Sequence, residues 1–121
     1  MNFKAPEGAD SLVREVLFPL AQKLTPAYAA AIAVTIKQMN TFLQPAELTG
    51  NATINLTIDT QVTAGAKLMV KLDADATART VTLGTGFDAG MASVVVKAAS
   101  IAFVTFIYDG TAFVPAYSVP V

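Results

Sequence analysis

The stretch Asn51-Ala52-Thr53-Ile54-Asn55-Leu56-Thr57-Ile58-Asp59 decides the fold. Successive side chains of an extended chain point to opposite faces, so Ala52, Ile54, Leu56 and Ile58 share one side and Asn51, Thr53, Asn55, Thr57 and Asp59 the other. This is the pattern of a half-buried strand with a polar face. The same period of two extends in both directions. Upstream, Ile32, Val34 and Ile36 alternate with Ala33, Thr35 and Lys37; downstream, Leu68, Val70 and Leu72 form the apolar side of residues 67–73. Residues 73–78 read as a polar turn into a strand at 79–83, which together predict a hairpin. Gly84, Gly86 and Gly90 mark a loop, followed by apolar runs at 94–96 and 101–108.

Asp109-Gly110 then stands between 101–108 and 111–117, and this dipeptide predicts a tight hairpin turn with positive φ at both central residues. Within 101–108 both faces are apolar, with Ile101, Phe103 and Ile107 on one side and Val104, Phe106 and Tyr108 on the other. Such a strand is either central or meets another chain through one face. Seven or eight short strands, 14 Thr residues and no long helix after residue 26 predict an all-β domain, an antiparallel β-sandwich of jelly-roll type.

Composition narrows the chemistry. The chain has 121 residues, 54% hydrophobic and 14% charged, with 8 Lys+Arg, 9 Asp+Glu and a net charge of −1. That length suits one domain, and the near-neutral balance offers no field for a nucleic acid backbone. With no His, Cys or Trp, the chain has no thiol nucleophile, no imidazole base and no Cys/His zinc site. The long uncharged runs, 24–36 and 98–108, are too short to span a bilayer as helices, so no membrane partner is expected. No secretory signal is read at the N-terminus, which predicts a chain that stays where it is made.

Residues 1–26 carry Lys4, Glu7, Asp10, Arg14, Glu15 and Lys23, a charge density the rest lacks. They read as an N-terminal arm on a body of residues 27–121. Asp10 or Ser11 can cap a short helix with Leu12, Val13, Val16 and Leu17 on one stripe before Pro19 interrupts it. At barely two turns it is marginal alone.

The acidic residues Asp59, Asp73, Asp75, Asp88 and Asp109 stand singly at strand ends and turns, where Asp favours local hydrogen bonding. A cation held by Asp73 and Asp75 is the less favoured reading. No catalytic residues, cofactor or metal ligands are expected, and the chain does not read as an enzyme. Gly84-Thr85-Gly86 lacks the Lys-Ser/Thr ending of a phosphate loop. Asn51-Ala52-Thr53 and Asn55-Leu56-Thr57 match the glycosylation pattern but read as outward-facing strand residues. The apolar excess leaves bulky side chains that a monomer this small cannot bury, which predicts an oligomer or a lattice contact.

The series Ile36-Lys37-Gln38-Met39-Asn40-Thr41, Leu48-Thr49-Gly50-Asn51-Ala52-Thr53-Ile54-Asn55-Leu56-Thr57, Val62-Thr63-Ala64-Gly65-Ala66-Lys67-Leu68 and the closing Phe106-Ile107-Tyr108-Asp109-Gly110-Thr111-Ala112-Phe113 resembles small β-structured virion proteins of tailed bacteriophages. Modules of this kind occur in head fibres, in auxiliary capsid or decoration proteins, including those of crAss-like phages, and in tail-associated proteins. The resemblance covers most of residues 30–117 and rests on turn and strand grammar. It implies an auxiliary protein on the outer capsid surface of a virion assembled in the bacterial host cytoplasm. The implied partners are the major capsid protein or other virion proteins and further copies of this chain, a trimer being favoured. On this reading the arm docks the body through Phe3, Leu12, Val16, Leu17, Phe18 and Leu20. The rival is a tail- or fibre-associated module binding a host receptor or glycan, for which only Tyr28, Tyr108 and Tyr117 offer tyrosine platforms.

Overall fold

The computed structural model describes residues 22–116. They form nine strands and, among the described residues, no helix: β1 (Gln22–Leu24), β2 (Ala31–Ile36), β3 (Asn40–Leu43), β4 (Ala52–Ile58), β5 (Lys67–Asp73), β6 (Arg79–Leu83), β7 (Ser93–Val96), β8 (Ile101–Tyr108) and β9 (Phe113–Pro115). The all-β expectation holds. The strands make two sheets, one in the order β1-β3-β5-β8-β9 and one in the order β2-β4-β6-β7.

From β1 to β6 the chain changes sheet at every strand. Neighbours within a sheet are therefore separated by a strand of the other sheet, which carries the chain back to its starting end. As a result β1–β3, β3–β5, β2–β4 and β4–β6 all run parallel. A parallel pair needs a long crossover, commonly a helix; here a strand of the opposite sheet fills that role. Only β5–β8, β6–β7 and β8–β9 are antiparallel. Both sheets are thus mixed, which corrects the expected antiparallel, jelly-roll arrangement. The predicted hairpin of 67–73 with 79–83 is instead an arch, since β5 and β6 lie in different sheets. The alternation of side chains specifies which face of a strand is buried, and that much is the same for a hairpin and for an arch.

One buried cluster joins both sheets. Ile32, Val34 and Ile36 of β2, Ala52, Ile54 and Leu56 of β4 and Val81 of β6 share it with Leu43, Leu68, Val70, Leu72, Phe106 and Phe113 of the five-stranded sheet. Phe87, from the loop after β6, meets Phe106 edge to face, with centroids 5.0 Å apart and planes at 67°.

Side-chain amides stand in for peptide groups where the ladders stop. Gln22 Nε2 donates to the Thr35 carbonyl at 3.2 Å, while its Oε1 accepts from the Lys37 N–H at 3.0 Å and from Thr41 Oγ1 at 3.2 Å. A residue of β1 thereby occupies a carbonyl of β2 in the other sheet and the N–H of the residue that follows that strand. The β4–β6 register covers only Ala52–Ile54 against Val81–Leu83. Asn51 Oδ1 extends it at one end by accepting from the Thr80 N–H at 2.9 Å, and Asn55 Oδ1 at the other by accepting from the Thr85 N–H at 3.0 Å. Gln22–Leu24 falls within the stretch read as an arm, yet belongs to the five-stranded sheet.

The loop at residues 84–92 crosses between the sheets. Its Thr85 carbonyl accepts from the Leu56 N–H of β4 at 2.8 Å. The Gly86 carbonyl then accepts from the Phe113 N–H of β9 at 2.8 Å, and the Asp88 N–H donates to the Phe113 carbonyl at 2.9 Å. Gly86 has φ of +90°, and a Cβ there would stand 2.7 Å from Leu56 Cβ. The Asp109-Gly110 turn also differs from expectation. Tyr108 pairs with Phe113 across a four-residue loop, and of the two turn residues only Gly110 has positive φ, at +101°. The Asp109 carboxylate organises the loop instead, Oδ1 accepting from the N–H groups of Thr111 and Ala112 at 2.8 Å each.

Candidate contact face

Because β5 is flanked by β3 and β8, its alternate residues line up with theirs on the side of the sheet away from the core. Register places Phe42 beside Met69, Thr105 opposite Met69, Phe103 opposite Lys71, Ile101 opposite Asp73 and Ile107 opposite Lys67. Lys23 of β1 extends the row beyond Phe42, and Val114 of β9 extends it beyond Ile107. The inward partners Leu68, Val70, Leu72 and Phe106 are buried, so this outer row faces away from the core. Phe103 is 62% exposed, Ile101 52% and Met69 44%. Exposed apolar side chains in a continuous group are the usual mark of an interaction surface.

The opposite face of the molecule has a different chemistry. The outer positions of the four-stranded sheet are Ala31, Ala33 and Thr35 on β2, Thr53, Asn55 and Thr57 on β4, Thr80 and Thr82 on β6, and Ser93 and Val95 on β7. It is uncharged and built mainly from small or hydroxyl side chains. The contrast gives the protein one outer face rich in large apolar side chains and one built mainly of small and hydroxyl side chains.

The carboxylates do local work. Asp75 holds Arg79 through two charge-assisted bonds, Nε to Oδ1 at 2.9 Å and Nη2 to Oδ2 at 2.8 Å, and its Oδ1 also accepts from the Thr77 N–H at 3.1 Å. Asp75, weighed above as half of a less favoured cation site with Asp73, is instead engaged by this ion pair within the β5–β6 arch. Asp88 Oδ1 accepts from the Gly90 N–H at 2.8 Å and Asp59 Oδ1 from the Gln61 N–H at 3.3 Å, both as Asx turns. Among the described residues no three His, Cys, Asp or Glu side chains cluster as potential metal ligands.

Hydrogen bonding to Arg79 lowers the Asp75 carboxyl below its ordinary value, and the Ala112 and Thr111 N–H groups lower that of Asp109. A carboxyl whose pKa is depressed by folding contributes stability above its unfolded value and loses it as pH falls through the folded value. Melting temperature is therefore expected to be level in these groups' contribution above about pH 5 and to drop below about pH 4. Asp75→Asn combined with Asp109→Asn is expected to flatten that acid limb, which thermal melts from pH 2 to 7 would show.

Of the tyrosines considered as platforms, Tyr28 donates its hydroxyl to the Asn51 carbonyl at 2.8 Å, and Tyr108 stacks on Phe113 with centroids 5.0 Å apart. Tyr117 and the arm residues Phe3, Leu12, Val16, Leu17, Phe18 and Leu20 lie outside the described residues. Sequence reasoning identified the doubly apolar β8, but not Phe42, Met69, Lys23, Lys67 or Lys71 as its companions. Only the strand register brings them together, and no local signal encodes it. Among the described residues no helix is long and apolar enough to cross a membrane. Comparison with known protein-family models and with curated proteins finds no match to this chain.

Proposed function

We propose that this protein is a structural component of a bacteriophage virion, an auxiliary protein that binds the outer capsid surface and stabilises or decorates it. The observation that carries the reading is the outer face of the five-stranded sheet, where Phe42, Met69, Ile101 and Phe103 lie together on one side of a small β domain. Leaving such a face in water is unfavourable by about 25 cal/mol per Å², so it fits a chain that works while bound. On this reading the two sheets are the layers of a sandwich, the apolar layer turned to the shell and the threonine-bearing layer turned to solvent. The resemblance to small virion proteins supports the same assignment. The proposed arm contacts of residues 1–26 would add to this face.

Two measurements test it. Quantitative peptide counting on purified virions is expected to give hundreds of copies of this chain, a simple fraction of the major capsid protein. A dozen copies would move the protein to the tail, and absence from the particle would overturn the proposal. Separately, Phe103→Asp is expected to change folding stability by no more than about 0.5 kcal/mol, as for an exposed site. It should reduce occupancy on particles at least about tenfold, as loss of an interface anchor does. Full occupancy by a folded variant would exclude this face as the contact.

A further inference from the structure

Resting on the virion reading, we infer that the outer face of the five-stranded sheet docks on a different protein, at an apolar knob ringed by carboxylates. The charge on the face is one-sided. Lys23, Lys67 and Lys71 stand among its apolar side chains, with Asp73 as the one acidic strand residue in the row. The chain as a whole is slightly acidic, so this local excess of positive charge runs against the molecule's net charge of −1. Charge complementarity selects partners by attraction to the opposite sign and by repulsion of the same sign.

The face also has relief. Asn40, Thr41, Phe42, Lys67, Met69 and Thr105 surround a notch of about 230 Å³ between β3, β5 and β8. That is below the range of roughly 300–1,000 Å³ typical of small-molecule sites and suits one apolar side chain of a partner. Lys67 borders the notch, so a partner's carboxylate beside its apolar anchor would meet an ammonium at once. Lys71, opposite Phe103, and Lys23, beside Phe42, offer the next two such meetings along the sheet. Exposed pairs of this kind contribute little alone but gain once the apolar centre excludes water.

A second copy of the chain is a poorer occupant. Two such faces brought together each carry three lysines against one aspartate, so like charge outweighs opposite charge across the contact. The other strongly exposed large apolar side chain, Val95, lies on the uncharged face beside Thr80. Among the described residues the chain offers no apolar patch rimmed by acid to receive its own basic face. An anionic bilayer matches the charge but supplies no discrete knob for the notch.

Zero-length carbodiimide cross-linking of purified virions, read by peptide mass spectrometry, tests this. Amide links are expected from Lys67, Lys71 or Lys23 to Asp or Glu of one other virion protein, with Lys37 and Lys97 giving none to that protein. Lys67→Glu with Lys71→Glu is expected to lower particle occupancy at least tenfold, while Lys67→Arg with Lys71→Arg retains it. Links from these lysines only to carboxylates of another copy of this chain would overturn the inference in favour of self-association. Cosedimentation of the full chain with phosphatidylserine vesicles, abolished by the Glu pair, would overturn it in favour of a membrane. Particles that carry the chain with no links from this face would overturn it outright. Absence of the chain from particles would instead defeat the virion reading on which it rests.

Discussion

Phe106→Ala is expected to remove about 3–5 kcal/mol of stability, the range for truncating a buried phenylalanine. Phe106 is 1% exposed and sits on β8 opposite Leu68 of β5 and Pro115 of β9. Its ring also receives Phe87 from the crossing loop. Truncation would therefore leave a hole bordered by two strands of one sheet and a loop that arrives from the other, and no single segment can move in to fill it. Against a typical total of about 5–15 kcal/mol, this is roughly a fifth of the stability or more. Urea titration should show a lower midpoint with the slope unchanged, and melting should fall by more than about 10 °C. Phe103→Ala, three residues away on the opposite face of the same strand, should cost under about 0.5 kcal/mol. A larger cost at 103 than at 106 would mean that β8 presents its faces the other way round.

Gly86→Ala is the second large effect, expected at about 2–4 kcal/mol. The residue has φ of +90°, a conformation that costs a side-chain-bearing residue on the order of 1–3 kcal/mol. The added methyl would also meet Leu56 Cβ at 2.7 Å and the Leu56 carbonyl oxygen at 3.2 Å. Neither neighbour can yield cheaply, because Leu56 is a core residue and its N–H is bonded to the Thr85 carbonyl. Relief would require the loop to lift away, breaking the bonds of Gly86 and Asp88 to Phe113. Amide exchange at Phe113 reports this directly and should speed up more than at Ile54, which lies within the β4 ladder. Gly65→Ala is the control. Gly65 has φ of +98° but nothing within 4 Å of its would-be Cβ, so only the conformational part of the cost should appear.

These two positions show how far the sequence could be read. The inward faces were legible because burial leaves a period of two: Ile32, Val34 and Ile36, then Ala52, Ile54 and Leu56, then Leu68, Val70 and Leu72 are all in the core. The neighbours were not legible, because the same alternation serves whether the next strand lies alongside or across. Residues 67–73 and 79–83 looked like a hairpin for that reason and form an arch. Asp109-Gly110 suggested a two-residue turn; the Asp109 carboxylate, by accepting two N–H groups, stabilises a four-residue one. Gly84 and Gly86 read as loop punctuation, while their real constraint is close approach to Asn55 and Leu56, thirty residues earlier. Asn51 and Asn55 read as outward-facing strand residues, yet each carboxamide oxygen also extends the β4–β6 ladder. For the contact face, the apolar outer side of β8 was legible, and the lysines beside it were not. Their grouping follows from parallel registers that join β1, β3 and β5, each pair separated by a strand of the other sheet.

That alternation between sheets also bears on how the chain reaches its native state. In β1 through β6, no strand pairs with the one next to it in sequence; each must wait for the strand after next. The entropy of closing the intervening loop is therefore lost before the first hydrogen bond of the pair is gained, which is the condition that slows folding in proteins of high contact order. Only β6–β7 and β8–β9 escape it, since each joins consecutive strands. The kinetic barrier of this protein is thus written into its topology, in the arches of β1 to β6 and in the still more distant pairing of β5 with β8.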